Sequence, residues 1–138
     1  MAFLNIDFAF ICDYAQAGPK INALGIGFDT IYAAKVPVKH AHFSLVMQIR
    51  ASVVEIGTKK MTIHIIDEDG KDLIPPLNAN FPVQPKENST EAVGRVVMEF
   101  GNVEFPHYGS YSIRAVIEGM EMASINFNVA ERPQPKAI

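Results

Sequence analysis

The residues of this chain best suited to chemistry are carboxylates, histidines and one thiol, and they fall into a few groups. Asp67, Glu68, Asp69 and Asp72 surround Gly70. Oxygen-rich loops of this kind can take calcium, but an EF-hand needs Asp-x-Asp-x-Asp-Gly and a Glu in twelfth place. Counted from Asp67, Gly70 stands fourth and Asn78 twelfth, so the spacing reads as a solvated hairpin turn with the favoured Asp-Gly pair. His40 and His42 put two imidazoles on one side of an extended chain, a spacing some zinc sites use. A third ligand would have to come from His64, His107 or a carboxylate, and sequence alone does not bring those together. Cys12 shares a face with Phe8 and Phe10 and reads as a small buried hydrophobe. A nucleophilic thiol needs a nearby His and an electropositive setting. Asp13 and Asn22 are expected to face each other at a hairpin end, with Asp29 farther along. They serve there as turn-fixing side chains, or else line a polar site. Phosphate loops, nucleophile elbows, Cys-x-x-Cys and His-Glu-x-x-His are missing from the sequence. No catalytic, metal or cofactor-binding residue is assigned, and no cofactor is expected.

The elements that would position these groups are strands. Period-two alternation runs through 43–50, 60–65, 91–100, 110–117 and 123–129, the mark of half-buried strands with one wet face. Asp67–Gly70 and Glu118–Glu121 supply turns. Leu77–Val83 also alternates, but Pro82 cannot donate to a ladder, which confines it to an edge strand or extended loop. Residues 3–13 and 20–29 read as a hairpin joined through Gln16-Ala17-Gly18-Pro19. Its register would set Phe10 against Gly25 and Phe8 against Gly27, and Ile11 against Leu24 and Ala9 against Ile26. Both faces of that hairpin are apolar, so a second cover is needed: segment 30–40, segment 71–88 or another subunit. His107-Tyr108-Gly109-Ser110-Tyr111-Ser112-Ile113 has the form of a tyrosine corner leading into strand F of an immunoglobulin-like sandwich. Tyr111 should be buried with its hydroxyl on nearby backbone, and Ile113 should be core.

The expected fold is all-β, an antiparallel two-sheet immunoglobulin-like sandwich of about eight strands. One domain over 1–130 and a frayed tail over 131–138 are expected. The 138 residues, 49% hydrophobic and 20% charged, suffice for one core. A net charge of −3 without a basic cluster argues against nucleic acid and anionic membrane as partners. A single cysteine, an acidic residue early at Asp7 and the lack of a long apolar run point to a cytoplasmic protein with no signal peptide.

The opening resembles a family of small uncharacterised bacterial proteins. The resemblance rests on Asp13-Tyr14-Ala15, Gly18, Lys20-Ile21-Asn22, Leu24-Gly25, Phe28-Asp29 and Ile31, with the Asp67–Gly70 turn and Phe105-Pro106-His107-Tyr108-Gly109-Ser110-Tyr111. It extends over roughly the whole chain. Gly27 looks like an added residue and marks a bulge. The resemblance implies a sandwich and no catalytic residues. The functional expectation is a non-catalytic β-sandwich that self-associates as a homodimer or meets another protein. The alternative is a small-molecule or metal-binding protein using His40/His42 or the Asp13 end.

Overall fold

The computed structural model describes residues 4–52, 57–85 and 91–133. Among them are ten strands and no helix: β1 (Leu4–Cys12), β2 (Tyr14–Ala17), β3 (Ile21–Leu24), β4 (Thr30–Ala33), β5 (Val38–Ser52), β6 (Gly57–Asp67), β7 (Leu77–Pro85), β8 (Glu91–Phe105), β9 (Gly109–Ile117) and β10 (Met120–Glu131). The alternating runs became strands for the expected reason: each has one face to bury. Phe43, Leu45, Met47 and Ile49 of β5 share a single core with Ile63, Ile65, Ile113 and Ile117.

Eight strands form one hydrogen-bonded sheet in the order β1-β5-β8-β7-β6-β9-β10-β4, and β2–β3 stands apart as a short hairpin. The long sheet curls into a half-barrel, so that its β1-β5-β8 part and its β6-β9-β10-β4 part share the core. β7 joins the two parts. It pairs with β6 over Leu77–Val83 but meets β8 only at Gln84 and Pro85. Pro82 therefore sits where β8 has not yet begun to pair, which is where a residue without an N–H is tolerated.

The curl shows in β8. Val96 and Phe100 point to the core, then Val103 and Phe105 do, so the inward parity switches between them. Asn102, with φ of 54°, lies at the switch; Asn is among the few non-glycine residues that adopt this conformation readily. Phe105 then meets Tyr111 and Phe127 edge-on, with ring centroids 5.1 and 5.7 Å away.

Three expectations are corrected. The sheet is mixed and continuous rather than wholly antiparallel in two pieces, because β4 pairs with β10 in parallel, Thr30 opposite Asn128. Residues 4–12 form no ladder with 20–29, and the two segments are joined through the Asp13 and Gly27 N–H groups, which donate to the Leu24 and Ile11 carbonyls at 2.9 and 3.4 Å. β1 pairs with β5, Phe8 opposite Gln48 and Phe10 opposite Val46, and β2 pairs with β3, Tyr14 opposite Leu24 and Gln16 opposite Asn22. Gly25 and Gly27, with φ of 71° and 85°, lie beyond the end of β3 at Leu24, so Gly27 sits in a turn and not in a strand bulge. The hairpin β2–β3 lies outside the sheet with Cα atoms of β2 within 8 Å of β5 and β8, and Cys12, Ser44 and Val46 beneath are fully buried. Of the expected tail, residues 134–138 lie outside the described residues.

Candidate functional site

The acidic turn is built around one carboxylate. Asp67 Oδ1 accepts hydrogen bonds from the backbone N–H of Asp69 and of Lys71, both at 2.9 Å, and the Gly70 N–H donates to the Asp67 carbonyl at 3.0 Å. The Lys71 N–H, more than any other contact, holds the Asp67 carboxyl below its ordinary range, with the Asp69 N–H acting the same way. A carboxylate spent on its own turn is a poor cation ligand. His64 Nδ1 meets Asp72 at 3.0 Å.

His40 and His42 part company. His42 Nδ1 lies 2.8 Å from the Asp13 carbonyl, and its ring stacks on Tyr14 at 4.7 Å. His40 packs against Phe28 and Phe43, with its Nε2 buried and unpartnered. Burial depresses the His40 pKa, opposed in part by the charge of Asp13. Among the described residues no group of three or more His, Cys, Asp or Glu is disposed to hold a metal ion. Cys12 is fully buried and its thiol faces the Tyr14 carbonyl at 3.4 Å. Desolvation, with Asp13 adding to it, pushes its pKa up, away from thiolate chemistry. Asp13 and Asn22 are not brought together. The Asp13 N–H donates to the Leu24 carbonyl at 2.9 Å, its carboxylate lies against Gly25, and Asn22 stands opposite Gln16. Asp29 accepts from the Thr30 hydroxyl at 3.0 Å.

A cleft of about 840 Å³ runs past Lys39, Asp67, Lys71, Asn102 and His107. Its one imidazole makes its short contacts through Nδ1. His107 Nδ1 lies 3.1 Å from the Tyr108 carbonyl and 3.2 Å from the Tyr111 hydroxyl, and Nε2 lies 3.8 Å from Asp67. Tyr111 in turn donates to the His107 carbonyl at 2.6 Å. This cluster braces the β8–β9 corner.

A different kind of surface lies over the outside of β1. Phe8, Phe10, Ile21 and Ile26 line a shallow groove of about 420 Å³. Around it Phe8, Tyr14, Leu24 and Ile26 are 37%, 61%, 71% and 58% exposed. Phe8, Leu24 and Ile26 stand out as apolar in the sequence, but the expected register set Leu24 against Ile11 and Ile26 against Ala9. Ile11 is core, and Leu24 and Ile26 face solvent. A face alternates visibly in sequence, whereas the turn at Gly25 that throws Leu24 and Ile26 outward does not.

An all-β half-barrel with an outlying hairpin, an apolar outer patch and a braced His–Asp–Tyr corner defines the class of protein. The chain belongs to a family of unknown function (DUF6941), whose model matches residues 7–130. No curated protein matches it. Among solved structures it is similar to a Pseudomonas fluorescens alkylpurine DNA glycosylase, AlkC, bound to DNA containing an abasic site analog. The TM-score is 0.50 at 10% identity over 94% of this chain, which spans 31% of that one. The likeness is one of fold. It corrects the expectation that nucleic acid is excluded, since a protein bound to DNA contains this architecture. Net charge is a sum over the chain and does not describe a face; Lys60 and Arg114 point outward from adjacent strands. No helix among the described residues is long and apolar enough to cross a membrane.

Proposed function

We propose that this protein is a non-catalytic, immunoglobulin-like β-domain that acts through protein contact, and that copies associate through the face carrying Phe8, Tyr14, Leu24 and Ile26. The exposure of these four side chains around one groove supports the reading, since contiguous apolar patches on soluble proteins mark contact surfaces. Strand β3 pairs with β2 and with no other strand among the described residues. A free edge next to an apolar patch is self-complementary about a two-fold axis, since an edge strand can pair antiparallel with its own copy. The buried, high-pKa Cys12 thiol suits a reducing cytoplasm.

Sedimentation at micromolar concentration tests it. The expected result is a dimer that Leu24→Asp or Ile26→Asp converts to a folded monomer. Both side chains are mostly exposed, so the substitutions leave folding intact. A wild-type monomer at every concentration overturns the proposal. The fold likeness to a DNA-bound glycosylase favours a second reading, contact with nucleic acid. Fluorescence anisotropy with a labelled duplex, with and without an abasic analog, tests that reading; binding that strengthens as salt falls supports it.

A further inference from the structure

The opposite outer surface, on β9 and β10, carries a second pattern. Tyr111, Ile113, Phe127 and Val129 point into the core, so Ser110, Ser112, Asn126 and Asn128 point out. Ser112 stands opposite Asn126 and Ser110 opposite Asn128. With the acidic turn at one end they line a groove of about 600 Å³. Asn is depleted in strands, yet it recurs on this outer face, at Asn126 and Asn128 and again at Asn78 and Asn80 of β7. Solvation alone is served as well by Thr, which the pleat favours. At the groove floor Ser112 is only 7% exposed, and among the described residues neither its hydroxyl nor the Asn126 amide makes a hydrogen bond within the chain. The Ser110 hydroxyl donates to Asn128 Oδ1 at 3.0 Å, leaving that amide's N–H groups free.

The chemistry of these groups selects a ligand class. Amides and hydroxyls both donate and accept, as the vicinal hydroxyls of a sugar do. An anion is poorly served: Glu68 and Asp69 rim the groove, and its one cation, Arg114, pairs with Glu121 at 3.4 Å. Tyr32, 53% exposed on β4 and opposite Ala130, offers an aromatic face on the same outer surface. Such a ring provides a large, flat apolar contact with a polar tip.

We infer that the β9–β10 groove is a binding site for a neutral carbohydrate, held by Ser112, Asn126 and Asn128 with Tyr32 as a stacking platform. This surface is separate from the proposed association face, and either assignment can fail without the other. The test is an amide NMR titration of the isotopically labelled full chain with cellohexaose, maltohexaose, xylohexaose and chitohexaose in turn. The expected result is that one of them shifts Ser112, the Asn126 and Asn128 side-chain amides and Tyr32. Asn126→Ala and Tyr32→Ala should each weaken binding about tenfold, roughly the worth of one or two contacts, with unchanged melting temperature. The inference is overturned if no oligosaccharide shifts these signals at millimolar concentration, if the shifts fall elsewhere, or if single-stranded oligothymidine shifts the same groove and the sugars do not.

Discussion

At the scale of single residues, the corner at Tyr111 concentrates stability. The hydroxyl both donates to the His107 carbonyl and accepts from the His107 N–H at 3.3 Å, and the ring is 2% exposed. Tyr111→Phe should cost about 1 kcal/mol or slightly more, the net worth of such bonds. Ile113→Ala should cost roughly 2–5 kcal/mol through lost transfer and cavity. Denaturant titration reads both. Acid should act in two windows. His40 has its pKa depressed by burial between Phe28 and Phe43, with Asp13 and His42 nearby. Its contribution is present above the unfolded value of about 6.5 and is lost as pH falls through the lower folded value. Asp67 is depressed too, by the backbone N–H groups it accepts. Its contribution is present above about 3.9 and disappears at lower pH. His40→Phe should flatten the upper part of a stability-against-pH curve and Asp67→Asn the lower. A curve unchanged by either substitution contradicts the assignment.

At the scale of elements, the β2–β3 hairpin depends on one tight contact. A Cβ at Gly25 would collide with the Asp13 carboxylate, at a φ of 71°. Gly25→Ala is therefore expected to destabilise by upwards of ~1 kcal/mol, since Ala where φ is positive is unfavourable. Hydrogen exchange should show faster opening of β2 and β3 than of β5. Equal acceleration throughout would mean that the hairpin unfolds only with the whole. Strands β5, β6, β9 and β10 were legible in the sequence because each alternates against one core, and the Asp67 turn was legible from its Asp-Gly pair. The partner of β1 was not. Alternation specifies which face is buried and leaves open which neighbour supplies the hydrogen bonds, so Phe10 opposite Val46 could not be distinguished from Phe10 opposite Gly25. The parity switch at Asn102 was hidden for a related reason: one residue with positive φ exchanges the faces of everything beyond it. The candidate surfaces were half legible. Leu24 and Ile26 announced themselves as apolar, whereas the outward Ser–Asn lattice of β9 and β10 had passed as an ordinary wet face.

At the scale of the molecule, several of the described titratable groups are engaged in holding the structure. Asp7 binds Gln48 and Arg50, and Arg50 reaches Glu91. Asp67 holds a turn, and His107 holds a corner. Calcium at millimolar concentration is accordingly expected not to move the melting temperature, whereas a site held at 100 times its Kd would add ~2.7 kcal/mol. Elemental analysis of untagged protein should return zinc well below one per chain. A clear calcium-dependent rise in melting temperature, or stoichiometric zinc, would reverse this view and return attention to the Asp67 turn or to His42.

The parallel pairing of β4 with β10 has a consequence for how the chain is made. Thr30 and Asn128 are 98 positions apart, so β4 leaves the ribosome long before its partner exists. During synthesis Ile31 and Ala33, both buried in the folded protein, have no β10 to lie beside until residues 128–131 have been made. Contacts this distant also close slowly, because the intervening loop must be ordered first. The pairing thus works as a clasp fastened only once β10 has emerged. A nascent chain stalled before Asn128 should hold β4 open to protease while β5 is already protected, and resumed synthesis through β10 should close it.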